Sequence, residues 1–270
     1  MIAGQGQLPV LVAMGLRAQG RRVACVGLSG QYAAELPMLC DCFASAGIIR
    51  LGRWIRLLRG WGVREAVMIG RVRKARMFEP MRLFRQLPDW RAARLWYRVL
   101  RHDKRNASLL GAVAGELADQ GITLLDSTQY IRDQLAQEGV MTRHEPTASQ
   151  QADIAFGWPI VKRMAELDVG QAIAVKEGEV IAVEAIEGTD AMIRRAGQLC
   201  PVGGWTLIKT ASERQDMRFD VPTVGPHTID NLYQHGGRCL VVQAGKVILA
   251  NKPQLLARAD RVGLSVVGRL

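Results

Sequence analysis

The sequence is poor in aromatic residues and cysteine, and it lacks a long apolar run. Aromatic residues make up 6% of the 270 residues, and the five cysteines are scattered along the chain. An odd, scattered set does not suggest a disulfide framework, so we expect a reducing compartment. No apolar run reaches about 18 residues, and the N-terminus has no basic leader. We therefore expect neither a membrane span nor a signal peptide.

Several common catalytic motifs are also absent. The chain has no G-x-S-x-G elbow and no H-E-x-x-H helix, which disfavours a serine hydrolase or a zinc protease. The spaced Asp, His and Asn-His-Glu motifs of dimetal phosphoesterases are missing as well. Cys40 and Cys42 are one residue apart with no second pair, a spacing that does not indicate a zinc site. Carboxylates, hydroxyls and basic side chains remain as the candidate chemical groups.

Acidic residues are scarce in one segment of the first half. The whole chain has a net charge of +11, but residues 50–105 alone hold 17 basic and 4 acidic residues, a net of +13. Such a segment favours an anionic partner: a membrane surface, a nucleic acid or a phosphorylated substrate.

Two predicted helices in this basic segment carry arginine stripes. The first covers 49–61, and the second covers 89–101 with Asp89 as its N-cap. A basic helix with aromatic residues beside the arginines can lie on an anionic bilayer. An ordinary surface helix of an arginine-rich protein gives the same pattern, so both interpretations stay open. The stripes are Arg50, Arg53 and Arg56 in the first helix, and Arg91, Arg94, Arg98 and Arg101 in the second.

Apolar runs separated by glycine turns predict an α/β protein with two domains. We expect a Rossmann-like α/β domain over 1–139 and a mixed α/β domain over 140–270, with the polar stretch 139–151 as linker. The predicted helices cover 10–19, 49–61, 89–101, 109–119, 128–137, 153–167, 191–199, 228–235 and 253–261. The predicted strands cover 1–3, 22–28, 67–70, 122–125, 171–176, 179–184, 206–210, 239–243 and 246–250. Two hairpins are expected, one from 171–176 with 179–184 and one from 239–243 with 246–250.

A glycine turn follows the first predicted strand. Gly4 and Gly6 precede a predicted helix, and backbone N–H groups at a helix N-terminus attract phosphate. The dinucleotide fingerprint needs a third glycine, but Pro9 stands there, which disfavours a nicotinamide or flavin site. Phosphate or nucleotide binding and a purely structural turn remain as alternatives.

Two polar loops follow predicted strands in the second half. Residues 183–192, VEAIEGTDAM, carry acids at intervals of three, and Asp220 precedes the stiff loop VPTVGP. Mg²⁺ uses one or two carboxylates together with waters and phosphate oxygens, and a bound metal can orient water. These loops therefore predict a Mg²⁺-dependent phosphate site, although an N-cap at Asp190 or a solvated strand end would also place acids there. The candidate metal ligands are Glu184, Asp190 and Asp220.

Further polar and basic residues near these loops are candidate substrate contacts. Lys209, Arg194 and Arg195 could pair with phosphate oxygens, and His227 could act as a general base. The remaining candidates are Gly4, Gly6, Glu187, Gly188, Thr189 and Thr223.

These motifs resemble the magnesium-dependent UDP-2,3-diacylglucosamine pyrophosphatases of the type unrelated to the calcineurin-like phosphoesterases. The resemblance is carried by 179–195, EVIAVEAIEGTDAMIRR, and by 218–229, RFDVPTVGPHTI. It extends to DVGQA at 168–172, to the N-terminal AGQGQLP and to the turn VMIGRVRK. It covers nearly the whole chain in the same order.

The resemblance implies a hydrolase of lipid A biosynthesis that releases UMP and 2,3-diacylglucosamine 1-phosphate. It implies Mg²⁺ as cofactor, water attack at the phosphorus nearer the sugar, and two α/β domains with the substrate held between them. The aspartate needed for hydrolysis in that family corresponds to Asp220, with Glu184, Glu187, Thr189 and Asp190 as supporting residues.

The resemblance and the charge together predict where the protein works. We expect a cytoplasmic enzyme, peripheral to the inner membrane of a Gram-negative-type bacterium through the basic segment, with a homodimer as one option and no nucleic-acid partner. The alternatives are a nucleic-acid-binding protein that uses 50–105, and a nucleotide-sugar-binding protein without turnover.

Overall fold

A computed structural model of the chain describes residues 1–72, 89–95, 97–98, 106–212, 216–218 and 221–270. The chain divides into two compact units. The first comprises Met1–Arg132 and Asp216–Asp220, and the second comprises Asp133–Gln215 and Val221–Leu270. Both units combine helices with a sheet, so the predicted two-part α/β fold is confirmed.

The labels below number the described elements in chain order. The helices are α1 Leu8–Ala18, α2 Leu51–Gly60, α3 Trp90–Leu95, α4 Asn106–Ala118, α5 Ala148–Glu166, α6 Thr189–Leu199, α7 Pro226–Gln234 and α8 Lys252–Arg261. The strands are β1 Ile2–Ala3, β2 Ala24–Leu28, β3 Cys42–Ala46, β4 Glu65–Ala66, β5 Met68–Ile69, β6 Thr123–Leu124, β7 Gly139–Val140, β8 Ala172–Lys176, β9 Glu179–Val183, β10 Trp205–Lys209, β11 Thr223–Val224, β12 Gly237–Gln243, β13 Ile248–Leu249 and β14 Ser265–Arg269. Short 3₁₀ turns cover Leu36–Leu39, Ser127–Tyr130 and Arg132–Gln134.

A parallel sheet forms the centre of the first unit, with its four described strands in the order β3-β2-β1-β5. Parallel strands are covered on both faces, which is why β2 reads as an apolar run, ACVGL. Helices α2 and α4 contribute Trp54, Leu58 and Leu117 to the core beside this sheet. The strand order is compatible with the predicted Rossmann-like domain, in which ligands bind at the carboxyl ends of the strands.

A mixed sheet forms the centre of the second unit, with six described strands in the order β7-β14-β12-β10-β8-β9. Strands β9, β10, β12 and β14 share one direction, whereas β7 and β8 run the opposite way. Helix α5 packs on one face through Ile154, Trp158 and Val161, and α6, α7 and α8 pack on the other. Four strands therefore end at the same edge of the sheet, beside the starts of α6 and α7.

The β8–β9 hairpin is confirmed at its predicted tip. Glu177 has φ +51° and Gly178 has φ +74°, and two left-handed residues in a row are typical of a two-residue type I′ turn. The register of the pair shifts between Ala174 and Val175. The hairpin delivers the end of β9 to the edge where β10 also ends.

The chain passes from the first unit to the second between Arg132 and Asp133, before the predicted division after residue 139. Residues 139–151 are not a linker, because Gly139 and Val140 pair with β14 and Thr147 caps α5. A capping box joins Thr147 to Gln150 and starts the helix earlier than the apolar periodicity indicates.

Two other local predictions are wrong. The helix predicted for 128–137 is replaced by two 3₁₀ turns, since the Asp126 carboxylate binds the N–H and the hydroxyl of Thr128 and competes with helix formation. The hairpin predicted around Gly245 is also wrong. Strand β12 pairs with β10 and β14, while β13 pairs in parallel with β11.

Candidate functional site

The loop from β9 to α6 brings predicted site residues together. Glu184 follows the last residue of β9, and Gly188 is the N-cap of α6 with φ +82°, a conformation that favours glycine. Thr189 is the first residue of α6, and its hydroxyl donates to Glu184 Oε1 at 2.7 Å. The N-cap of α6 is Gly188, without a side-chain hydrogen bond, so the N-cap at Asp190, one alternative from the sequence, is wrong. The first N–H groups of α6 have no intrahelical partner and suit an anion.

Lys209 reaches this loop from the end of β10. Its ammonium donates to Thr189 Oγ1 at 2.7 Å and lies 3.6 Å from Glu184 Oε2. The Lys209 and Glu184 side chains are only 8% and 13% exposed, so little water screens their charges. We call Glu184, Thr189 and Lys209 the polar triad.

One atom of the polar triad has an unfilled bonding position. Glu184 Oε2 is buried and has no hydrogen-bond partner among the described residues. The Lys209 ammonium faces it at 3.6 Å, beyond hydrogen-bond distance, whereas buried carboxylate oxygens normally accept a hydrogen bond. The oxygen therefore suits one ligand position of a Mg²⁺ ion, at the helix N-terminus where a phosphate is also favoured.

The side chains near this loop suit Mg²⁺ better than a metal that takes all its ligands from protein side chains. Within the described ranges, His, Cys, Asp and Glu do not gather in threes that could hold a metal ion. Mg²⁺ needs only one or two carboxylates, because waters and phosphate oxygens complete its shell. Glu184 fits that requirement through Oε2, which accepts no hydrogen bond from the described residues. The predicted set of Glu184, Asp190 and Asp220 stays a prediction.

Glu187 holds the shape of the β9–α6 loop. Arg195 Nη2 donates to Glu187 Oε1 and to Val183 O, each at 2.6 Å. The other carboxylate oxygen of Glu187 accepts the N–H of Ala185 at 3.1 Å. Both oxygens thus have protein partners, and the geometry gives Glu187 and Arg195 a structural task in addition to any substrate contact.

Helix α7 supports the first turn of α6. The buried Asn231 donates through Nδ2 to Asp190 O at 3.2 Å, which fixes the backbone of Asp190 and leaves its carboxylate outside this contact. Thr223, in the strand before α7, donates its hydroxyl to Val221 O at 3.0 Å and tightens that loop. Sequence reasoning missed Asn231. A polar residue among the apolar positions of α7 is the signal that could have found it.

The stretch Asp168–Ala172 packs directly behind Glu184. Glu184 donates its N–H to Ala172 O at 2.8 Å, and a Cβ placed on Gly170 would lie 1.9 Å from Glu184 O. Only glycine permits this close approach of two backbones. Gly170 therefore positions the polar triad, a role that the sequence suggested only through the resemblance of DVGQA.

Asp220, the predicted catalytic residue, lies outside the described residues, and its catalytic role stays a prediction. The nearby Asp216 and Arg218 form an ion pair at 2.5 Å in the first unit. Hydrogen bonds from the Arg218 guanidinium hold the pKa of the Asp216 carboxyl below its usual value.

The predicted glycine turn of the first unit lies at the carboxyl end of β1. Gly4 crosses close to the chain at Gly70, and a Cβ on Gly4 would lie 2.8 Å from Arg71 O. Gly6 has φ +106° and open space where a Cβ would project. Gly4 is thus explained by backbone packing. Gly6 shapes an open turn before α1, where a phosphate can approach the helix N-terminus.

Both units are α/β domains with helix N-termini at the carboxyl edge of a sheet, and the second places a buried lysine and a carboxylate there. This combination defines an α/β protein equipped to bind phosphorylated ligands. The two predicted clusters of site residues, around Gly6 and around Glu184, lie in different units.

Comparison with known proteins identifies the family. The LpxI N-terminal domain matches residues 1–134, and the LpxI C-terminal domain matches residues 137–267. A Caulobacter vibrioides relative, the UDP-2,3-diacylglucosamine pyrophosphatase LpxI, is 30% identical over 276 residues, which cover 99% of this chain and 96% of that protein. The chain belongs to the LpxI family, as the motifs indicated.

Proposed function

We propose that this protein hydrolyses the pyrophosphate bond of UDP-2,3-diacylglucosamine to UMP and 2,3-diacylglucosamine 1-phosphate in lipid A biosynthesis. The proposal depends on one observation. The chain is similar to a relative that is named for acting on this compound, and the similarity covers 96% of that relative's length. The polar triad supports it, since a buried lysine at a helix N-terminus is suited to the negative charge of a diphosphate.

The polar triad would bind and orient the diphosphate. Lys209 and the first N–H groups of α6 neutralise phosphate oxygens, while Thr189 links the ammonium to Glu184 and fixes both groups. Preorganised charges of this kind offset the charge that develops at the reacting phosphorus. Gly4, Gly6, Glu187, Gly188 and Thr223 remain predicted substrate contacts.

Glu184, Asp190 and Asp220 would hold a Mg²⁺ ion, and this assignment is supported by Glu184 Oε2, a buried oxygen that accepts no hydrogen bond from the described residues. When bound, the ion supplies charge neutralisation and a more acidic water. Asp220 orients the water that attacks the phosphorus nearer the sugar and takes up its proton, a task for which a carboxylate in hydrogen-bond reach is suited.

The protein would work in the cytoplasm, at the surface of the inner membrane, through the basic segment 50–105. Exposed arginines on α2 and α3 and the 81% exposed Trp90 support this contact, because aromatic and basic side chains together favour an anionic bilayer. In the described part of the chain, the helices are all too short or too polar to cross a bilayer. A homodimer stays a prediction.

Incubation with UDP-2,3-diacylglucosamine and Mg²⁺, followed by detection of UMP, tests the proposed reaction. Failure to release UMP would refute the reaction and would favour a nucleotide-sugar-binding protein without turnover. EDTA should stop the release and added Mg²⁺ restore it. Activity that is indifferent to EDTA would exclude the metal.

The Asp220→Asn variant tests the assignment of the attacking water. It should lower UMP release at least about a hundredfold, the usual scale of general-base catalysis, while the substrate still binds. Asp216→Asn makes the same chemical change four positions earlier, at an exposed ion pair, and should stay within a few-fold of the unaltered protein. Equal activity of the two variants would remove Asp220 from the mechanism.

A further inference from the structure

A groove between α2 and α3 in the first unit is built around one carboxylate. Asp89 Oδ2 accepts the N–H of Gly52 at 2.6 Å and that of Arg53 at 3.3 Å, and its Oδ1 accepts the N–H of Ala92 at 3.0 Å. Asp89 therefore caps the starts of both helices and sets them side by side. Its negative charge faces backbone donors, so it offsets the arginines of the groove only in part.

Arginines converge on the wall of this groove, which has a volume of about 620 Å³. Arg59 Nη1 and Arg91 Nη2 both donate to the same atom, Gln120 Oε1, at 3.3 Å each. Arg56 lines the groove beside them. Like charges repel unless an anion lies between them, and a single neutral amide oxygen does not supply that anion.

Among the described residues, Glu116 is a second acidic side chain beside this cluster, in addition to Asp89. Glu116 pairs with Arg91 Nη1 at 3.2 Å and is 19% exposed, but it does not line the groove. It offsets one guanidinium and fixes its direction. The charge balance of the groove wall stays positive, which is complementary to a phosphate group.

One aromatic side chain of the groove is largely exposed. Trp90 lines the groove with 81% of its surface exposed, whereas Ile55, which also lines it, is buried. A tryptophan at a water-facing rim is typical of proteins that rest at the headgroup level of a bilayer. A single short groove of this volume suits one headgroup, whereas a nucleic acid strand needs an extended basic path with stacking platforms.

We propose that the α2–α3 groove binds the phosphate headgroup of an anionic phospholipid and docks the first unit on the bilayer. This deepens the membrane contact proposed above and names where the lipid sits. Arg56, Arg59 and Arg91 bind the phosphate, and Trp90 enters the interface beside it.

Vesicle binding of the full chain tests the groove. The probe is phosphatidylglycerol mixed with phosphatidylcholine, compared with phosphatidylcholine alone. Arg56→Gln/Arg59→Gln should weaken binding to the mixed vesicles about thirtyfold, since each basic side chain at an anionic surface contributes roughly a sixfold factor. Arg143→Gln/Arg163→Gln removes the same charge from exposed positions of the second unit and should change binding less than threefold. Equal losses in the two pairs would show a bulk charge effect and overturn the proposal.

Tryptophan quenching, measured on protein that is bound to the vesicles, gives a second readout. Brominated phosphatidylglycerol should quench the fluorescence of the unaltered protein, and Trp90→Phe should lose most of that quenching. Unchanged quenching in Trp90→Phe would overturn the placement of the rim. Release from the vesicles by a single-stranded oligonucleotide at equal phosphate concentration would favour nucleic acid and refute the lipid.

Hydrolysis of detergent-dispersed substrate separates this proposal from the proposed reaction. The groove variants should keep UMP release within about twofold, because Arg56 and Arg59 are not among the residues proposed to bind the diphosphate, the metal or the attacking water. If the unaltered protein releases no UMP, the reaction fails while the vesicle result still decides the groove.

Discussion

Replacing Lys209 by methionine removes the counter-charge of a largely buried carboxylate. The Glu184 side chain is 13% exposed, and the Lys209 ammonium lies 3.6 Å from its Oε2. Methionine keeps most of the apolar stem, so the main change is the loss of charge. Breaking a buried pair by removing one partner costs about 3–5 kcal/mol. Because Glu184 retains some access to water, we expect the lower end, about 3 kcal/mol in the free energy of unfolding of the second unit.

A double-mutant cycle isolates the interaction of Lys209 with Glu184. Glu184→Gln alone removes the charge that Lys209 faces, and Lys209→Met/Glu184→Gln removes both charges. The double variant should be more stable than the sum of the single changes implies, with a coupling of about 1–3 kcal/mol. Urea denaturation measures the global effect. Hydrogen exchange of α6 amides reports the second unit by itself, because two-unit proteins need not unfold in one step.

An exposed ion pair supplies the matched control. Arg163→Met breaks the 2.7 Å contact with Glu166. The Arg163 and Glu166 side chains are 73% and 39% exposed, so the change should alter the free energy of unfolding by less than about 1 kcal/mol. If Lys209→Met matches this control and the cycle shows no coupling, Lys209 and Glu184 do not form a buried pair in solution. The binding role proposed for the polar triad would then lose its structural basis.

Two further experiments test the close backbone contact at Gly170 and the reactivity of the cysteine thiols. Gly170→Ala would bring a Cβ to within 1.9 Å of a backbone oxygen and should cost about 1–3 kcal/mol by overpacking. Gly115→Ala, in a helix with open space around the added carbon, should raise stability by about 0.5–1 kcal/mol, and a similar gain at Gly170 would contradict the geometry. At pH 8, alkylation should reach Cys40 first, because a hydrogen bond from Cys25 lowers the pKa of the Cys40 thiol. Burial raises the pKa of Cys239 to about 12, so only about one molecule in ten thousand is the reactive thiolate there. Mass spectrometry of the labelled peptides decides this order, and early labelling of Cys239 would contradict its burial.

Local sequence signals predicted the elements whose partners lie next to them in the chain. The β8–β9 hairpin was predictable because Glu177 and Gly178 form a turn whose required conformation is specific. Strand β14 was missed, and β13 was assigned to the wrong partner, since both pair in parallel with strands far away in the sequence. Such pairings depend on the whole sheet and leave no periodic trace of their own.

The members of the candidate site were predictable, but their arrangement was not. Glu184 follows β9 and Lys209 ends β10, two strands that β8 separates in the sheet, so sequence spacing gives no reason for their contact. Thr189 has the residue type of an N-cap, yet its hydroxyl binds Glu184 because that carboxylate is buried beside it. Motif resemblance selected the residues, and only the strand order shows which of them touch.

The two border strands of the six-stranded sheet, β7 and β9, limit how copies of this protein can associate. At one end, the described strand β7 has only two residues and begins at Gly139 with φ +91°. At the other end, β9 begins with the exposed, charged Glu179, and its pairing with β8 is irregular. Short, charged and distorted border strands are poor templates for another chain. Strand-by-strand addition of further copies, as in amyloid, is therefore disfavoured. A functional dimer would have to form through side-chain contacts and not through strand pairing at these borders.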